Sequence, residues 1–130
     1  MNTMNEQAIF DEIARNDQHF SQAPHAFFHA WKRGVELVGP VLFGNGNRES
    51  LDLAVEKWDL CPNVALIKKA VGAMSSGEKV FLAALVSFYN AETGGALLKR
   101  VGVRGLSDLG GLDLERRKVI AALILNYTGW

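Results

Sequence analysis

The sequence predicts an all-α protein, a compact bundle of about five to seven helices. Three observations carry that expectation. Apolar residues recur at three- and four-residue spacing along most of the chain. No strand-like alternation lasts more than a few residues. Helix-capping residues stand ahead of nearly every apolar run. At 130 residues with 48% apolar and 22% charged side chains, the chain has the size and composition of one helical domain spanning residues 1–130.

Thr3 and Glu6 form a Thr-x-x-Glu capping box, predicting a first helix to about Asp17 with Ile9, Phe10 and Ile13 as a modest apolar side. Pro24 lacks an N–H and suits a first helical turn, so a second helix is expected from there. Its stripe is Phe27, Phe28, Trp31, Val35 and Val38, and Gly39-Pro40 ends it. Ser50 is expected to cap a third helix, with Leu51, Ala54, Val55 and Trp58 on one face. Asn63 is expected to cap a fourth, aligned on Val64, Ile67, Val71 and Met74. Ser75 and Glu78 make the clearest capping box. The helix they open, about 76–91, is apolar on most of its circumference and should therefore be central. A short helix is expected over 96–101, and Ser107 can cap a turn in the glycine-rich segment after it. Asp113 caps a packed C-terminal helix at about 114–127. Leu125 lies opposite that helix's main stripe, so it needs a cover, either the terminal Tyr-Thr-Gly-Trp or another subunit.

Fourteen basic and fourteen acidic residues cancel, which gives no overall drive toward nucleic acid or an anionic membrane. The longest apolar run, 80–88, is too short to span a bilayer. The polar, acidic N-terminus lacks the pattern of a signal peptide. With a single cysteine, Cys61, no internal disulfide is possible. A cytoplasmic protein without a membrane partner is the expectation.

All three histidines fall within residues 19–34. His25 and His29 are one helical turn apart and form the candidate metal pair, with Glu36 as a possible third ligand. Lys32 and Arg33 share their arc and repel a cation, which favours a solvated face whose charge rises as pH falls through about 6.5. Cys61 precedes Pro62 at a helix end, where no helix N-terminus activates it. The Gly44 and Gly46 loop lacks the third glycine and the strand context of a dinucleotide fingerprint. No catalytic residues and no cofactor are assigned, and a non-enzymatic protein is expected.

Arg104, Arg116, Arg117 and Lys118 gather around the glycine-rich segment and are the candidate nucleic-acid or anion contacts. Two helices joined by a glycine turn resemble a helix-hairpin-helix phosphate clamp, but Asp113 stands where that motif wants glycine. The leading expectation is therefore protein–protein interaction, as a homodimer, with Leu125 and Trp130 as interface candidates. Nucleic-acid regulation is the alternative, and metal binding comes third.

Overall fold

The computed structural model describes the backbone from Thr3 to Trp130 and side chains from Asn5 onward. The Thr3 side chain of the expected capping box lies outside the described residues. The architecture is all-α. Among the described residues six α-helices follow one another: α1 Thr3–Val38, α2 Arg48–Leu53, α3 Val64–Ala70, α4 Ser76–Tyr89, α5 Ala91–Arg100 and α6 Leu114–Asn126. Short 3₁₀ segments at Pro40–Leu42, Lys57–Leu60, Val71–Ala73 and Leu106–Gly111 turn the chain between them. The only extended pairing among the described residues is one bridge between Phe43 and Pro62.

The first two expected helices are one. α1 runs through Pro24 without a break. A proline inside a helix forfeits one hydrogen bond and crowds the carbonyl four residues back, at a cost of about 3 kcal/mol. It does not forbid helix on either side. Pro24 and Phe20 are both exposed, so water can take the freed carbonyl. The segment before Pro24 has good helix formers at Ala8, Glu12, Ala14 and Arg15, so the helix continues.

α4 is the centre of the bundle. Ser75 Oγ accepts from the Glu78 N–H and donates to the Glu78 carboxylate, so the two residues of the expected box meet at the helix start through the serine hydroxyl. Phe81 through Val86 are all buried, so every side of this stretch meets a neighbour. α5 packs beside it and starts earlier than its sequence suggested. Asn90 caps it, its side chain accepting from the Thr93 N–H, and the helix runs through Gly94 and Gly95. Gly94 is buried against the backbone of Ser87, where a Cβ would collide with the Ser87 Cα and N. That close approach explains a glycine inside a helix despite its poor propensity.

α6 runs antiparallel along α1: Arg33 pairs with Glu115 near the start of α6, and His19 bonds Leu125 near its end. Asp113 caps α6 through the Arg116 N–H at 2.9 Å. Val119, Ile120 and Leu123 face the core, while Ile124 and Tyr127 are exposed. α2 also differs from expectation. Asn47 caps it, not Ser50, and it stops at Leu53. Val55 and Trp58 consequently leave the shared face and are exposed, while Leu51 and Ala54 stay buried. The chain after α2 is held instead by Asp59, whose carboxylate accepts from the Val55 and Glu56 N–H groups.

Candidate functional site

The core half of α1 carries Ala23, Phe27, Ala30, Trp31 and Val35 into the bundle. Trp31 is fully buried, and its indole N–H donates to the Leu60 carbonyl at 2.9 Å. The terminal segment closes this region. The Trp130 ring lies 4.7 Å from Trp31, 5.1 Å from Tyr89 and 5.9 Å from both Phe27 and Trp58, centroid to centroid, all edge-on. Lys57 fastens the tail by donating to the Gly129 carbonyl at 2.7 Å, with its ammonium 5.4 Å from the Trp130 ring. Trp130, one of two interface candidates, thus docks on its own chain. Having done so, the tail leaves Leu125 uncovered at 65% exposure.

The opposite face of α1 forms one wall of a groove of about 890 Å³ against α6. Ala26, Ala30, Val119 and Ala122 floor it, and His25, His29, Lys32, Arg33, Glu36, Glu115 and Lys118 are on its walls. His25 and His29 lie together as their spacing dictates, but the third ligand does not join them. Glu36 pairs with Arg33, which also reaches Glu115, and Glu115 pairs with Lys118. Among the described residues no three His, Cys, Asp or Glu side chains converge to hold a metal ion. His19 is elsewhere, its Nε2 2.9 Å from the Leu125 carbonyl oxygen.

The C-terminal basic cluster is largely occupied by its own fold. Arg116 pairs with Asp113 at 2.5 Å and lays its guanidinium over Phe81. Arg117 donates to the carbonyls of Leu112 and Gly110, tying α6 to the preceding 3₁₀ segment. Lys118 faces Glu115. Arg104 contributes its backbone N–H to Asp108, as Gly105 does, and those two donors are the main cause of a lowered Asp108 pKa. Asp113 is lowered for the same reason, first by the Arg116 N–H. Phosphate would have to compete with these partners for Arg116 and Arg117. Cys61 donates to the Trp58 carbonyl, and burial followed by the Asp59 charge pushes its thiol up, away from the reactive thiolate.

No family model, curated protein or solved structure matches this chain. Among the described residues no helix is long and apolar enough to cross a membrane.

From residue 5 to 22, only His19 is even partly buried. α1 therefore carries its first half outside the core, and about 20 Å of it, before His19, projects beyond the end of α6 as a free arm. Ile9, Phe10, Ile13 and Phe20 are 49%, 67%, 50% and 58% exposed on it. Glu6, Ile9, Ile13, Asn16, Phe20, Ala23 and Phe27 repeat at alternating three- and four-residue steps. The same seam that enters the core at Ala23 and Phe27 thus runs outward along the arm with nothing over it. Half of this signal was readable in the sequence, but Pro24 divided it.

Proposed function

We propose that this protein acts without catalysis, by binding protein, and that its partner is a second copy of itself. The observation that carries this reading is the uncovered seam of the α1 arm. An isolated helix of this length is marginal in water, and its apolar side gains stability only from a cover. Four large apolar side chains on one projecting face make a patch of a few hundred Å², the scale at which exposed apolar surface marks an interaction site. Leu125 adjoins the base of the arm, where its carbonyl meets His19, and extends the same surface onto α6.

Sedimentation velocity on the full chain tests the reading. Dimer should grow in across the micromolar range, and Leu125→Glu should weaken it several-fold while the thermal unfolding midpoint stays in place. A chain that stays monomeric at high micromolar concentration refutes it.

A further inference from the structure

The arm's sequence carries more than an apolar stripe. Written as a heptad, Glu6, Ile9, Ile13, Asn16, Phe20 and Ala23 occupy alternate seam positions, and Phe10, Glu12, Asp17 and His19 flank the seam. Four carboxylates (Glu6, Asp11, Glu12, Asp17) against Arg15 leave the first 22 residues at −3. In a chain of net zero charge, residues 23–130 then carry +3. Two acidic arms can associate only in a register that keeps their carboxylates apart, and this restricts the choice sharply.

Resting on the self-association reading, we infer that two arms pair antiparallel as a two-stranded coil, with the two-fold axis between residues 14 and 15. In that register Ile9 packs on Phe20 of the second copy and Ile13 on its Asn16, each pair occurring twice, and the coil stops there because Ala23 is buried in its own bundle. The flanks are compatible: Glu12 faces His19 of the second copy, and Phe10 faces its Asp17. Parallel arms would set Glu12 against Asp17 of the second copy on both sides of the coil, a like-charge contact that disfavours the pairing. Parallel arms would also bring the two bundles to the same end. The antiparallel overlap of residues 9–20 places them at opposite ends of a rod about 18 Å long. Asn16 makes the seam imperfect, as a single polar seam residue does where register is bought with stability. Such a coil covers roughly several hundred Å² in total, below the size of a stable specific interface, which fits a dimer that forms and dissociates.

Thiol cross-linking in the full chain decides the register. Cys61→Ser clears the background, and Ile13→Cys and Asn16→Cys are introduced into separate proteins. Under a glutathione redox buffer, the mixture should give disulfide-linked dimer at about ten times the yield of either protein alone, because the seam holds the two thiols at a high effective concentration. Efficient linking of each protein to itself, with no gain on mixing, would mean parallel arms and overturns the inference. A dimer that sediments normally, fails to cross-link and ignores Ile9→Lys with Ile13→Lys would use another surface, and overturns it as well. In both cases self-association survives. A monomer in sedimentation, with no cross-linking, removes the broader reading too. Circular dichroism on each variant checks that the bundle is intact, since both thiols lie outside it.

Discussion

The two halves of α1 are built from the same seam and have opposite fates. Residues 23–38 place Phe27, Trp31 and Val35 against α4, α6 and the terminal tail, where each is almost wholly excluded from water. Residues 5–22 present Ile9, Ile13 and Phe20 at the same helical angle, half open to solvent. The chain supplies a cover for one half and none for the other. Helical periodicity therefore specifies which face is apolar, while the length of the neighbouring helices specifies how much of it is buried. α6 ends at Asn126, level with His19, and everything before that point on α1 is arm.

Substitutions in the two regions should consequently report on different equilibria. The largest effect is expected in the bundle at Gly94→Ala. The new Cβ would meet the Ser87 backbone, which cannot yield as a side-chain end can, so α4 and α5 must separate. A loss of about 3 kcal/mol or more in urea unfolding is expected. Trp130→Ala comes next. It removes the ring packed against Trp31, Tyr89, Phe27 and Trp58 and should cost about 2–4 kcal/mol, below the full range for a buried tryptophan because the ring is partly exposed. An unchanged unfolding curve would show that the tail is not part of the core.

Pro24→Ala sharpens the boundary between the regions. Restoring the missing ladder bond should stabilise the helix locally by up to about 3 kcal/mol. Slower amide exchange should appear in residues 17–24, with the bundle's exchange unaltered. Ile13→Ala should change unfolding of the monomer by less than about 0.5 kcal/mol, as an exposed substitution does, yet weaken self-association several-fold. An equal loss in both measurements would mean that the arm folds back on its own bundle.

The smallest effect is electrostatic. Asp108 and Asp113 have pKa values lowered chiefly by backbone N–H donors, so each favours the folded state when ionised. Their contribution is complete above the ordinary carboxylate value of about 3.9 and is lost as pH falls through the lower folded values. The unfolding midpoint should be flat near neutrality on their account and fall in strong acid, and Asp108→Asn should flatten that fall. Both groups are bundle groups, so the arm's association should not follow the same curve.

Much of the bundle was legible because local signals there agree with packing. The Ser75 and Glu78 box, the Asn63 and Asp113 caps and the apolar girth of α4 are each satisfied within a few residues of chain. The misreadings share a cause. Pro24 reads as a start, Gly94 and Gly95 as a break, and Ser50 as a cap, since each residue has that preference in isolation. Their surroundings overrode them: a tight approach to Ser87 wants Gly94, and the nearby Asn47 side chain takes the Ser50 N–H as its own cap bond. For the candidate sites, spacing placed His25 and His29 together and allows the Arg33–Glu36 pair, but no sequence pattern showed that Arg33 would also reach Glu115 or that Lys57 would hold the Gly129 carbonyl.

By itself the sequence determined the helical class, most of the helix starts and the apolar seam of α1, because these depend on residues three or four apart. Only the tertiary structure decided that Trp130 closes the core and that the outer half of the seam stays bare. Those outcomes depend on which helix ends beside which, a long-range matter of where α6 stops against α1, and no local spacing encodes it.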